Sequence, residues 1–322
     1  MNVTILGTGA YGLALSKMFL RNNCNVTMWT ALDNEYNMLK KYRCNRLVLP
    51  SYKIDNKIKI TTNMEEALKN TKLIVIAVPV KFIRSTLTEV KKYYKDNHIC
   101  IASKGIEQNS YLFPYEMIKK ELKTNKIGVI SGGTFAIDMV NDAPVGLLIA
   151  SKNSSTTKVI RKTLESEMLR VDISSDVLGT EFWGSVKNIM AIGCGIIDGM
   201  NYPESTKCLF FTKCFKEITN LVYDFGGNKS TAITYAGIGD FYLTCNSAKS
   251  RNYSFGKMIS GNFTKDYIDD YLEGNTVEGY YTLKSFYGLT HKKKKKSKII
   301  DILYNIIYNN GDLKLLDEFL KK

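Results

Sequence analysis

A lysine inside an otherwise apolar helical segment is the first feature that needs a chemical explanation. Residues 181–193 read Glu-Phe-Trp-Gly-Ser-Val-Lys-Asn-Ile-Met-Ala-Ile-Gly, apolar on nearly every face, yet Lys187 and Asn188 stand at the middle. An ammonium is expensive to bury unless it is paired. Lys187 therefore either snorkels its head to water or is held for chemistry, where a desolvated lysine exchanges protons near neutrality. A second cluster, Gly237-Ile238-Gly239-Asp240-Phe241-Tyr242-Leu243-Thr244-Cys245 followed by Ser250-Arg251-Asn252, gathers an acid, hydroxyls, a guanidinium and an amide. Arg251 is one of only seven arginines beside 38 lysines, and its planar fork of donors suits a phosphate dianion. The plainer reading of Arg251 is a solvated arginine on a surface turn.

The third feature is Gly7-Thr8-Gly9-Ala10-Tyr11-Gly12, between a strand-like run and an apolar-periodic helix. In such a turn the first glycine permits the tight bend, the second lets backbone approach a pyrophosphate, and the third allows close helix–strand packing. The helix N-terminus then faces the phosphates. Residues 7–12 thus predict a dinucleotide site, with Gly7, Gly9 and Gly12 as its cradle. The end of the second strand, around residues 26–30, should carry the acid that holds a ribose 2′-hydroxyl. Thr30 stands there instead, Asp33 and Glu35 come slightly later, and no arginine is at hand to clamp a 2′-phosphate. NAD and NADP both stay open as cofactors.

These residues must be positioned by regular elements, and the chain changes character near residue 175. Before it, apolar runs at 3–6, 26–29, 73–78, 99–102, 127–130 and 145–150 alternate with helix-length stretches such as 11–22, 64–70, 81–93 and 114–122. That alternation predicts an α/β Rossmann domain, a doubly wound and mostly parallel sheet, over residues 1–175. After it, strand signals stop and long helical periodicities begin, with 180–197 and 207–225 the first two, so 176–322 reads as an all-α domain.

Composition narrows the function class. A chain of 322 residues with 44% hydrophobic and 24% charged residues can bury a large core, and is neither disordered nor fibrous. Its longest apolar runs are too short to span a bilayer, and Met1 leads directly into a strand without signal-peptide features. The seven cysteines are an odd set with no C-x-x-C pair, which fits neither a disulfide framework nor a zinc site and points to reduced thiols in a cytoplasm; no metal is expected. The net charge of +14 comes from scattered lysines and the run Lys292 to Lys296 plus Lys298. Without arginine forks or interleaved aromatics this is not a nucleic-acid surface, and the run itself reads as a solvated loop. A mildly positive field would still attract a small anionic substrate.

Taken together, GTGAYG at 7–12, SKG at 103–105, SGGTFA at 131–136, GSVKN at 184–188, GIGD at 237–240, LTC-x4-SRN at 243–252 and VEG at 277–279 closely resemble bacterial NAD(P)-dependent glycerol-3-phosphate dehydrogenase over nearly the whole chain. The resemblance implies reversible reduction of dihydroxyacetone phosphate to sn-glycerol 3-phosphate, which supplies phospholipid synthesis. It implies that Lys187 is the catalytic lysine and Lys104 the second active-site lysine. Asp240, Ser250, Arg251 and Asn252 match substrate positions, Gly132 and Thr134 lie beside the substrate, and Asn188 and Thr244 line the same pocket. Ala10, Tyr11, Ala136 and Glu278 match positions near the cofactor, where Lys104 and Arg251 also reach. Asp240 would then be the partner that Lys187 needs.

The expected partner is a small phosphorylated molecule, with a homodimer left as an option. The sequence departs from the family pattern at Gly133 for proline, at Ile137-Asp138 for a charged pair, at Trp183 for a small residue, at Lys213 for arginine, and at Ala31-Leu32, where an arginine is usual. The alternatives are a 3-hydroxyacid or 6-phosphogluconate type of dehydrogenase, against which the SRN segment argues, and a dinucleotide-sensing protein without turnover.

Overall fold

Strand formation follows the branched apolar runs. In the computed structural model, which describes residues 1–261 and 264–321, the strands are β1 Asn2–Leu6, β2 Asn25–Trp29, β3 Lys59–Thr61, β4 Leu73–Ile76, β5 His98–Ile101, β6 Ile127–Ser131, β7 Val145–Ser151 and β8 Leu169–Ser174. They form one sheet in the order β3-β2-β1-β4-β5-β6-β7-β8. Every pair is parallel except β6 with β7. Strands β4, β5 and β6 are buried at every position, as expected where helices cover both faces of a sheet. The order runs outward in both directions from β1, so a switch point opens at the carboxyl ends of β1 and β4, where open α/β sheets bind ligands.

Six of the eight strands stand where the apolar runs predicted them. The two additional ones lie at the sheet edges. β3 has three residues, too few to show a period. β8 alternates buried Leu169 and Val171 with exposed Arg170 and Asp172, the half-solvated, charged character that blunts an edge strand.

This sheet and its helices make up the first unit, Met1–Lys104 with Pro114–Thr180. The second comprises Gly105–Phe113 and the chain from Glu181 onward, so the division falls inside the helix Val177–Gly199. The second unit is helical. Its core is aromatic: Phe182 meets Phe286 at 4.9 Å and Phe225 at 5.4 Å between centroids, while Trp183 lies against Phe215 at 5.0 Å and Phe241 at 5.7 Å. The helix Val177–Gly199 is buried from Gly179 to Ile197.

Glycines let a second helix, Arg251–Ile259, cross it at backbone contact. A Cβ on Gly195 would collide with the Tyr253 carbonyl oxygen, and one on Gly256 with that of Ile192. The lysine run is exposed from Lys292 to Lys296, where the helix Glu278–Lys292 ends. Among the described residues no helix is long and apolar enough to cross a membrane.

Candidate active site

The glycine turn follows β1 and opens the helix Ala10–Arg21. Gly7 has a φ of +119°, and a Cβ there would stand 2.8 Å from the Ala77 carbonyl group, while one on Gly12 would stand 2.5 Å from the Gly7 oxygen. Any larger residue at either position would push the turn off the sheet. A Cβ on Gly9, by contrast, would meet nothing within 4 Å, and Gly9 caps the helix without any side-chain hydrogen bond. Open space above uncapped N–H groups is the cradle a pyrophosphate occupies, so the residues present fit a dinucleotide.

Tyr11 ties this turn to two other predicted positions on the same unit. Its hydroxyl lies 3.3 Å from Thr134 Oγ1, and Lys104 Nζ stands 5.9 Å over its ring. Lys104 follows β5, and Thr134 sits between β6 and the short helix Ala136–Val140. Gly132 is held by close packing, since a Cβ there would collide with the Gly146 oxygen.

A carboxylate absent from the predicted site also reaches this turn. Glu35, in the first turn of the helix Asp33–Tyr42, accepts hydrogen bonds at Oε2 from Thr8 Oγ1 and from Thr30 Oγ1 at 3.0 Å. Asn45 Nδ2 donates to the Thr8 carbonyl at 3.1 Å. The only sequence signal for Glu35 is its place shortly after β2.

On the helical unit, Lys187 lies at the middle of Val177–Gly199 and its ammonium pairs with Asp240. The side chains are 10% and 2% exposed, so the lysine is paired in the interior and does not snorkel. Asp240 continues the helical turn Tyr235–Gly239, whose Gly237 and Tyr235 carbonyls accept its N–H, into the helix Asp240–Cys245. One turn on, Thr244 Oγ1 donates to the Asp240 carbonyl at 2.7 Å. Cys245 packs its sulfur 4.0 Å from the Lys187 carbonyl oxygen, and burial pushes its thiol well above the ordinary range, so it is a neutral packing group.

A second chain of contacts starts from the next residue. Asn188 Oδ1 accepts from Asn252 Nδ2 at 3.0 Å, Asn252 Oδ1 accepts from the Gly279 N–H at 2.8 Å, and Asn188 Nδ2 lies 3.4 Å from Glu278 Oε2. Ser250 caps the helix Arg251–Ile259 by accepting from the Tyr253 N–H at 3.3 Å. Arg251, the first residue of that helix, is exposed and makes no hydrogen bond or ion pair with the protein among the described residues. The helical unit thus gathers Lys187, Asp240 and Thr244 into one network and Asn188, Asn252 and Glu278 into an adjoining one, with Ser250 as a cap and Arg251 presented outward. That arrangement provides a proton donor with its charge partner and a separate cation for an anionic group.

Comparison with known proteins identifies the family. Residues 2–157 match the family described as NAD-dependent glycerol-3-phosphate dehydrogenase N-terminus, and residues 176–316 match its C-terminus. A glycerol-3-phosphate dehydrogenase [NAD(P)+] from Agathobacter rectalis is 31% identical over 314 residues, covering 97% of this chain and 93% of that protein. One from Fusobacterium nucleatum is 32% identical, covering 96% and 93%. Among solved structures, glycerol-3-phosphate dehydrogenase from Coxiella burnetii superposes with a TM-score of 0.93 at 27% identity, covering 100% of this chain and 99% of that one. D-mandelate dehydrogenase, at 13% identity and a TM-score of 0.66, shares the fold alone.

Proposed function

The chain belongs to the NAD-dependent glycerol-3-phosphate dehydrogenase family, and from that premise we propose that it catalyses the reversible reduction of dihydroxyacetone phosphate to sn-glycerol 3-phosphate, supplying phospholipid synthesis. Its cofactor is NAD or NADP, which when bound supplies or takes up the hydride at C2. The division of labour we assign is a dinucleotide-binding domain over residues 1–175 and a substrate-binding and catalytic domain over 176–322.

The observation that carries the chemistry is the buried pair of Lys187 and Asp240. The ammonium of Lys187 donates a proton to the developing alkoxide, and in the oxidative direction the neutral amine takes the hydroxyl proton. Asp240 keeps the lysine oriented and compensates its charge in a water-poor interior. Lys104 contributes further positive charge toward the substrate. Asn188 and Thr244, each fixed by its own hydrogen bonds, line the pocket. Arg251 takes the phosphate through its unpartnered fork, with Asn252 and the capped helix start behind it adding neutral donors. Gly7, Gly9, Ala10, Tyr11 and Gly12 hold the dinucleotide, with Ala136 and Glu278 near it.

The test is to follow NADH and NADPH absorbance with dihydroxyacetone phosphate as substrate. Turnover with one or both supports the assignment, and dinucleotide binding with no turnover would refute it. A reducing cytoplasm is supported by seven unpaired cysteines. Sizing with light scattering tests whether the protein is a homodimer.

A further inference from the structure

We propose that Glu35 is the specificity-determining residue of the dinucleotide site and selects NAD(H), with its free ribose 2′-hydroxyl, over the 2′-phosphorylated NADP(H). The inference rests on the dinucleotide reading of the glycine turn. It starts from a gap in the sequence pattern, because the end of β2 carries Thr30 where a ribose-binding acid is expected.

The fold fills that gap from the next helix. β1 and β2 pair in parallel with Leu6 opposite Trp29, and the Gly7 N–H donates to the Trp29 carbonyl at 2.9 Å, so the glycine turn and the end of β2 lie side by side. Glu35 reaches back into that corner. Its Oε2 takes hydrogen bonds from the buried hydroxyls of Thr8 and Thr30, while Oε1 has no protein partner among the described residues. Both threonines are anchored: the Thr8 carbonyl is held by buried Asn45, and the Thr30 hydroxyl itself accepts from the Leu32 N–H at 3.2 Å. A carboxylate pinned through one oxygen, with the other free, is an acceptor ready for a hydroxyl donor.

The same feature opposes a phosphate. No basic side chain pairs with Glu35 among the described residues, and the cations of the segment are engaged elsewhere. Arg43 donates to the Ile58 carbonyl at 2.9 Å, Arg46 stacks 3.8 Å over Tyr42, and Lys40 lies 5.4 Å over Tyr36. A 2′-phosphate in that corner would face an uncompensated carboxylate.

Equilibrium titration of NADH and NADPH, read from dinucleotide fluorescence, tests the assignment on the wild type, Glu35→Gln and Asp33→Asn. The wild type should bind NADH about 10- to 100-fold more tightly than NADPH. Glu35→Gln should bring the two Kd values within about fivefold, chiefly by tightening NADPH. Asp33→Asn should leave the ratio as it is, which shows that the effect belongs to Glu35 and not to general charge. A wild-type ratio near one would overturn the inference by itself, and so would an unchanged ratio in a Glu35→Gln protein with a wild-type melting temperature. Equal binding of both dinucleotides overturns only this inference, whereas binding of neither overturns the dinucleotide reading beneath it. Should Glu35→Gln not fold, competition between AMP and adenosine 2′,5′-bisphosphate on the wild type decides the same question, since preference for the bisphosphate contradicts the role of Glu35.

Discussion

Lys187 and Asp240, separated by 53 residues of chain, form an ion pair in the interior of the helical unit. If the pair serves proton transfer, Lys187→Ala should lower kcat by about two to four orders of magnitude while dinucleotide affinity stays near wild type. Steady-state kinetics beside a binding titration checks both, and near-normal turnover would remove Lys187 from the reaction.

The pair also makes a stability prediction. Asp240→Asn leaves a buried ammonium without its charge partner and should cost about 3–5 kcal/mol. Replacing both members, as Lys187→Met with Asp240→Leu, should recover most of that loss and no activity. Denaturant melts of the two variants decide it; a double variant as unstable as the single one contradicts the desolvation argument.

Arg251 is exposed and unpartnered among the described residues, so its removal should leave stability almost unchanged and act on the substrate. Arg251→Lys keeps the charge and loses the fork, and kcat/KM for dihydroxyacetone phosphate should fall about 30- to 1,000-fold. Dihydroxyacetone should be a very poor substrate for the wild type, and the Arg251 variants should discriminate less between the two ketones. Equal wild-type efficiency on both ketones would show the phosphate site to be elsewhere.

Trp183 is fully buried and its indole N–H has no hydrogen-bond partner among the described residues. Removing an unpaired buried donor forfeits no hydrogen bond. Trp183→Phe should therefore change stability by less than about 1 kcal/mol, the loss of ring area against Phe215 and Phe241 being offset by relief of the stranded donor. A loss of several kcal/mol on a denaturant melt would mean that the N–H is satisfied after all.

At the far end of the same helix, Asp198 is held down to about 2, first by its hydrogen bond from Lys207 and next by that from Lys257. A depressed carboxylate contributes stability that is present above its unfolded pKa of about 3.9 and lost as pH falls through the folded value. Asp198→Asn should therefore destabilise the protein by about 1–2 kcal/mol at neutral pH, a figure reduced for the solvent exposure of the lysines. The difference from wild type should shrink between about pH 4 and pH 2. A gap that persists at the acid end of that range would assign the effect to packing.

Much of this molecule is legible in its sequence because short-range patterns carry it. Branched apolar runs dictate the central strands, and three glycines at fixed spacing dictate the turn that only glycine fits at Gly7 and Gly12. A lone lysine in an apolar helix is an energetic anomaly visible without coordinates. What the sequence leaves open about Lys187, whether it reaches water or a partner, depends on where the segment around Asp240 packs. The edge strands β3 and β8 escape periodicity through brevity and charge. The chain from Asn188 through Asn252 to Gly279 depends on three helices meeting at backbone contact, at Gly195 with Gly256 and at Gly279 against Asn188. Glu35 is an ordinary first-turn acid until the parallel pairing of β1 with β2 sets Thr8 and Thr30 beside it. Residue type and local spacing determine what each group can do, whereas contacts across tens of residues are set by how helices and strands pack, and only the tertiary structure decides those.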